Sequence, residues 1–389
     1  MIFLKETHKY LVPDYYPMFA CKMGACRSAC CEGWPIHFSL DDYYHLTGSE
    51  CSRDLRRRLD TGLRICLSPT PDSYAEIAPR YDGSCPMRLE DGRCAIHAEL
   101  GEETLNHVCR LYPRGVRLHG GYECSCANSC EAVLELLFQK DEPIEFIYRE
   151  MTFDLPKAAA RSFTFETLGK EQEIRMWLIH HMQNQLLPMP QRLMSMGHAL
   201  WALDEALSTR DEEEVMRLMS GKRRMHPLKP QELSQGHLDF GLKIADEMIR
   251  LLDERSESIR SYGEAALACF DSSFERYENA KEHFESVLPD WEIRFEHMLV
   301  NHMFFSRFPF QDRPVSLKDE FYALCGVYAL LRFLGIGHMY GKYDESAFTD
   351  AAAAVFRLVD HTAFDRYAVQ VMKFSGCDTW ERIHDLVSL

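Results

Sequence analysis

Apolar residues recur at helical spacing through the last two thirds of the chain. Ile174, Trp177, Leu178, His181 and Met182 fall at i, i+3, i+4, i+7 and i+8, the mark of one buried helix stripe. Ile244, Met248, Leu251 and Leu252 continue the pattern, as do Phe321, Leu324, Val327, Tyr328 and Leu331. Ala351 to Val359 and Ala368 to Phe374 add further helix faces, and Glu131 to Phe138 is a run of strong helix formers. Together these segments predict a helical domain of roughly eight helices over residues 136–389. Pro188 and Pro190 break one helix, and the basic, proline-bearing stretch 220–232 reads as an exposed linker.

Residues 1–135 have another texture, with short periodic pieces between turn signals. Ser39, with Asp42 three residues on, predicts a capped helix start. Asp91-Gly92 and Gly120-Gly121 predict turns. No long run alternates at period two, and one short hairpin is expected between Gly115 and Tyr122. The expected fold is mainly α: a Cys-rich metal-binding N-terminal domain with little strand (1–135), then the helical domain.

Composition narrows the function classes. The 389 residues are 46% hydrophobic, enough to bury a sizeable core. The net charge of −16 argues against nucleic acid as a partner, which needs a basic face. No run of 18 apolar residues predicts a membrane span, and Met1 to Tyr16 lacks a signal-type apolar stretch, so a cytoplasmic location is expected. A glycine-rich nucleotide loop, a phosphate loop and a nucleophile elbow are all missing from the sequence.

Cysteine placement changes the picture most. Twelve of the 15 cysteines fall between Cys21 and Cys130, leaving Cys269, Cys325 and Cys377 for the remainder. In a reducing compartment such crowding points to metal or redox chemistry rather than disulfides. Cys21, Cys26, Cys30 and Cys31 are spaced C-x4-C-x3-C-C, with Gly24, Ala25, Ser28 and Ala29 between them. Small residues there let backbone amides turn toward sulfur. Cys85, Cys94, Cys109, Cys124, Cys126 and Cys130 follow. Four thiolates saturate one zinc or one four-iron cluster, so ten exceed a single site. Either two centres exist or some of these cysteines are buried as small hydrophobes. Cys51 and Cys66 lie outside the clusters and read as structural. His37, His97 and His107 can replace a thiolate, whereas the adjacent His180 and His181 point apart on a helix.

The motifs Cys26-x3-Cys30-Cys31, Cys85-Pro86-x7-Cys94-Ala95-Ile96 and Cys109-Arg110-Leu111-Tyr112-Pro113 resemble a bacterial family of zinc- or iron-chelating domains. Pro13-Asp14-Tyr15-Tyr16 with Phe19, Cys31-Glu32-Gly33-Trp34-Pro35-Ile36, Tyr112-Pro113-Arg114 and Ser129-Cys130-Glu131-Ala132 narrow this to a resemblance to the flagellin lysine-N-methylase family. The resemblance covers residues 10–135. In the helical remainder, Asn301-His302-Met303-Phe304-Phe305 and Phe308-Pro309-Phe310 resemble the family more loosely. Cys124-Ser125-Cys126 departs from it by adding thiols.

The resemblance implies a methyltransferase acting on lysine amines of flagellin or another protein substrate. S-adenosylmethionine would be the methyl donor, and a four-iron, four-sulfur cluster would be held by cysteines. Cys21, Cys26, Cys30, Cys31, Cys85, Cys94, Cys109 and Cys130 are the candidate ligands. Glu32, Glu123 or Tyr112 would take the lysine proton. Arg110 and Arg114 would either bind the donor's carboxylate or neutralise the thiolates. Trp34 would either stack on adenine or pack in the core. The chain lacks the C-x3-C-x2-C of radical enzymes that use this donor, because Gly33 stands at the third position. Two further readings stay open: a structural zinc protein acting as an interaction module, and an iron–sulfur electron-transfer or metal-trafficking protein.

Overall fold

The computed structural model describes residues 3–27, 36–81, 83–118, 121–156, 163–221, 232–250, 257–311 and 313–389. Helix makes up 57% and strand 11% of it, so the architecture is mainly α. The strand is concentrated where little was expected. Among the described residues, seven strands form two sheets: β1 (Phe3–Pro13), β2 (His37–Phe38), β3 (Leu63–Ile65), β4 (Ala75–Ile77), β5 (Arg114–Arg117), β6 (Glu123–Cys126) and β7 (Phe146–Pro156).

The larger sheet has the order β5-β6-β1-β7. β5 and β6 form the expected hairpin, in register from Arg114↔Cys126 to Arg117↔Glu123. β1 and β7 pair antiparallel from Phe3↔Pro156 to Pro13↔Phe146. β7 therefore lies beyond the boundary expected at residue 135 and joins the first strand of the chain. Tyr10, Val12 and Cys124 form the buried centre of one sheet face, with Ile147, Met151 and Phe153 against them. The hairpin and sheet dock on the helices through buried polar groups. Tyr15 donates its hydroxyl to Asn301 Oδ1 at 2.7 Å, and Asn301 Nδ2 donates to Cys126 O at 2.8 Å.

The smaller sheet, order β2-β4-β3, belongs to a small lobe. This lobe also holds α1 (Leu40–Gly48), α2 (Arg53–Gly62), α3 (Ala95–Leu100) and α4 (His107–Leu111). Ser39 caps α1 as the sequence implies, accepting from the Asp42 N–H at 3.1 Å. The lobe has its own core of Phe38, Leu46, Leu55, Leu59, Ala75, Ile77, Met87, Ala95 and Ile96.

The helical body begins with α5 (Glu131–Phe138), which coincides residue for residue with the expected helix former. It continues with α6 (Glu171–Met182), α7 (Met189–Ser208), α8 (Glu212–Met219), α9 (Gln235–Arg250), α10 (Glu257–Phe270), α11 (Phe274–Val287), α12 (Trp291–Ser306), α13 (Leu317–Met339), α14 (Ser346–Val359), α15 (Phe364–Phe374) and α16 (Trp380–Ser388). Among the described residues, eleven helices thus follow residue 136, where about eight were expected. Pro188 and Pro190 sit at the start of α7, where a missing N–H costs nothing. Residues 222–231 of the expected linker lie outside the described residues. α13 is long and apolar enough to cross a membrane by length and composition alone. It is instead almost wholly buried, packed by α7, α9–α12 and α14–α16, and forms the axis of the body.

Candidate metal and cofactor site

Four stretches of chain converge between the small lobe and the helical body. They are the loop from Cys21 to Cys26 after β1, the turn from Cys85 to Cys94, the stretch from His107 through α4 to Arg114, and Ser129 to Ala132 at the head of α5. They surround a cavity of about 840 Å³, closed on the body side by Phe305 and His361. Two glycines explain how two of the cysteine loops meet. Gly24 and Gly92 both have positive φ, +101° and +82°. A Cβ on Gly92 would lie 2.2 Å from the Gly24 carbonyl oxygen, and one on Gly24 would lie 2.6 Å from the Arg93 nitrogen. Only glycine permits this backbone-on-backbone approach.

Six of the eight candidate ligands line the cavity: Cys21, Cys26, Cys85, Cys94, Cys109 and Cys130. Cys30 and Cys31 lie outside the described residues, as do Glu32 and Trp34. Cys21 and Cys109 are exposed, and the other four are half-buried. Burial pushes the Cys85 thiol up, opposed by a hydrogen bond from the Met87 backbone. Among the described residues, no three of these sulfurs lie within 4.8 Å of one another. They ring a space rather than converge on a point. His97 and His107 also line the cavity, and burial lowers His107 below the ordinary histidine range.

The extra thiols of β6 are placed differently. Cys124 and Cys126 are buried, and desolvation pushes Cys124 up to about 12 and Cys126 well above its ordinary value. They pack as small hydrophobes.

The cavity is locally basic on an acidic protein. Lys22, Arg64, Arg93 and Arg114 line it, against Glu76 and Glu131. Glu131 is engaged by Lys22 at 2.6 Å. The Arg114 guanidinium lies over the Phe19 ring, 5.1 Å from its centroid. Arg110 is placed elsewhere: it pairs with Asp154 at 3.2 Å and Glu103 at 3.5 Å and does not line the cavity.

Among the candidate proton acceptors, Tyr112 lines the cavity and Glu123 does not. Both Glu123 carboxylate oxygens accept from Arg175 Nη1, at 2.7 and 2.8 Å, and the pair is buried. Arg175 also donates to Phe304 O at 3.2 Å, so the pair ties β6 to the helical body.

Tyr112 leads to two residues that sequence reasoning missed. Its hydroxyl lies 3.1 Å from Ser129 Oγ, which lies 2.7 Å from His361 Nε2. All three line the cavity. The preceding residue, Asp360, is anchored to the body: its carboxylate accepts from the Asn128 N–H at 3.0 Å and stands 2.8 Å from His302 Nδ1. Burial holds His361 below the ordinary histidine range, with Asp360 opposing the shift. The imidazole is therefore neutral at pH 7 and able to accept a proton. Ser129 opens the Ser129-Cys130-Glu131-Ala132 motif, where nothing local gives it a chemical role; His361, 232 residues away, has no local motif to mark it.

The fold and cavity describe a two-lobed, mainly helical protein with thiols gathered at the junction. The model of the FliB lysine N-methylase C-terminal domain matches residues 175–384, from the first turn of α6 into α16 and more than half of the chain. The chain belongs to the FliB lysine N-methylase family. Lysine-N-methylases of Salmonella choleraesuis (strain SC-B67) and Salmonella typhimurium (strain LT2) are each 30% identical to it over 125 residues, 30% of this chain and 28% of theirs. The matched region thus spans little more than a quarter of those relatives. No solved structure matches the chain. The family match falls on the helical body, whereas the motifs that resemble the family lie in the first third.

Proposed function

We propose that this chain is a protein-lysine N-methyltransferase. It uses S-adenosylmethionine, acts on flagellin, and holds a four-iron, four-sulfur cluster on three of Cys21, Cys26, Cys85, Cys94, Cys109 and Cys130, which leaves one iron without a protein ligand. The observation that carries this reading is the gathering of six thiols and a Tyr112–Ser129–His361 hydrogen-bonded chain around one cavity. The donor set fits the group: soft thiolates suit iron–sulfur chemistry, and neighbouring cations offset their charge. Among the described residues no three of these sulfurs come within 4.8 Å of one another, which supports a group larger than one tetrahedral ion. When bound, the cluster would offer an iron with an open position for polar groups of the methyl donor.

The chain's own residues supply the rest. A lysine ammonium must lose a proton before its nitrogen lone pair can attack the methyl carbon. The C–S bond then breaks and its electron pair returns to sulfur. Tyr112 Oη accepts that proton while passing its own to Ser129 Oγ. Ser129 in turn passes its proton to His361 Nε2, a shuttle of the general-base kind. Arg114 holds the donor's carboxylate. Phe305 and Phe19 exclude water from the wall. The thiols require a reducing compartment, in keeping with a cytoplasmic location.

The test is anaerobic methylation of purified flagellin by iron-loaded protein with S-adenosylmethionine, read as mass additions of one methyl on lysine-bearing peptides. Methyl transfer that needs both iron and donor supports the reading. A colourless, zinc-loaded protein that transfers nothing even after anaerobic reconstitution overturns it and favours a structural zinc protein.

A further inference from the structure

The three-stranded sheet carries a second set of donor atoms, separate from the ring of thiols. His37 on β2 and Glu76 on β4 are paired directly across the ladder, and Arg64 on β3 pairs with Glu76 from the other side. Residues two apart on a strand share a face, so Cys66 joins Arg64 and Glu76 there. Its backbone N–H donates to Tyr74 O at 2.9 Å and holds it in line with the sheet. As a result the donor atoms of His37, Cys66 and Glu76 all lie within 4.8 Å of one another.

The spacing has metal-site dimensions. Cys66 Sγ lies 3.7 Å from His37 Nδ1. A tetrahedral zinc with bonds of about 2.3 Å to sulfur and about 2.0–2.1 Å to nitrogen sets those two atoms about 3.6 Å apart. The donors are also held in place. Asn106 Nδ2 donates to His37 O at 2.7 Å, fixing the backbone that carries the ring. Arg64 Nε donates to Glu76 Oε1 at 2.7 Å, leaving the second carboxylate oxygen to coordinate. The Thr70–Ser73 turn sets Ser73 Oγ 3.0 Å from His37 Nδ1 and 4.0 Å from Cys66 Sγ.

We propose that His37, Cys66 and Glu76 form a second metal site, of zinc type, at the rim of the cavity. One thiolate, one imidazole and one carboxylate favour a borderline-soft divalent cation over magnesium or calcium. Three protein donors leave the fourth position to water, the pattern of open rather than closed zinc sites. His37 is exposed and the other two ligands are half-buried, so an ion can enter from solvent. Binding releases the Cys66 thiol proton. Cys66, which reads as structural in the sequence, thereby gains a chemical role. The site depends on none of the cavity cysteines, so it stands or falls apart from the methyltransferase reading.

The experiment is zinc equilibrium dialysis of metal-free, full-length protein against a competing chelator. Wild type is compared with Cys66→Ser, His37→Gln and the cavity variant Cys94→Ser. The expected result is that Cys66→Ser and His37→Gln each lose one zinc equivalent, or bind it at least about tenfold more weakly, a loss of the size metal-site changes produce. Cys94→Ser retains that equivalent. Cobalt substitution reads the same site: thiolate-to-cobalt absorption present in wild type is reduced in Cys66→Ser by one ligand's share. If either variant fails to fold by circular dichroism, the other, together with Glu76→Gln, decides the question. Unchanged stoichiometry and affinity in the folded variants overturn the proposal, as does a zinc loss confined to Cys94→Ser.

Discussion

The small lobe and the helical body are built on opposite terms. The body shares one continuous core that runs from Leu11 and Tyr15 through Val133 to Leu389, with α13 as its axis. The lobe has nine buried hydrophobic residues and three strands of two or three residues each. A core that small supplies little net stability, and natural domains of this size usually add a metal or a disulfide. The lobe carries Cys85, Cys94 and Cys109 to the cavity edge, so the metal that serves the chemistry would also staple the lobe. The body needs no such help. Three of the cavity thiols thus sit on the weakly self-supporting part of the molecule, while the family match falls on the self-supporting part.

The largest effect should come from removing that staple. Cys85→Ser and Cys94→Ser should abolish bound iron and lower methylation by more than the roughly 10–100-fold that losing an outer partner of a metal site costs. Hydrogen exchange should quicken in α2, α3 and β4 and stay unchanged in α13. Equal protection of the lobe with and without metal would mean that its nine-residue core holds the lobe together unaided.

Next comes the ion pair that ties sheet to body. Arg175→Leu leaves the Glu123 carboxylate buried without a partner, which costs about 3–5 kcal/mol. The chemical-denaturation midpoint should fall accordingly, with activity per folded molecule retained. A Glu123→Gln variant of normal stability but much reduced kcat would instead return Glu123 to the chemistry.

A third effect sharpens the contribution of the body to the site. His361→Gln should lower kcat by about 10²-fold, the lower end of what a general base contributes. The sign of the pH dependence follows from burial. With its pKa held below the ordinary histidine range, His361 is a neutral base at pH 7, and activity should fall only as pH drops through that lowered value. His361→Gln should remove this limb from the kcat profile while KM for flagellin stays the same. An unchanged limb would assign the proton to another group.

Local signals were legible in the sequence and long-range ones were not. The α5 run, the Ser39 cap, the hairpin near Gly115 and the motifs that carry the six cavity cysteines all rest on neighbours within a few residues. β1 escaped because Lys5-Glu6-Thr7-His8-Lys9 is an unbroken polar run, and β7 because Arg149 interrupts the apolar face of Ile147, Met151 and Phe153; the two strands pair across more than a third of the chain. Glu123 looked as available as any carboxylate, since its partner Arg175 is 52 residues away within a helix stripe. His361 sits just past the end of α14 with nothing beside it in sequence to announce Ser129. Polar pairs closed by tertiary packing leave no period to read.

The smallest expected effect separates strain from steric contact at the glycine pair. Gly83 and Gly92 both adopt positive φ, +79° and +82°, so alanine at either pays the same left-handed penalty of roughly 1 kcal/mol. They differ in surroundings: a Cβ on Gly83 meets nothing within 4 Å, whereas one on Gly92 runs into the Gly24 carbonyl. That carbonyl is backbone, so the loop carrying Cys21 and Cys26 must retreat from the turn carrying Cys85 and Cys94. Gly92→Ala should therefore release iron several-fold faster than Gly83→Ala under chelator challenge, and should unfold at the lower midpoint of the two. Equal release rates would mean that the two cysteine loops do not share one metal centre, and the cavity would then divide its thiols between separate tasks.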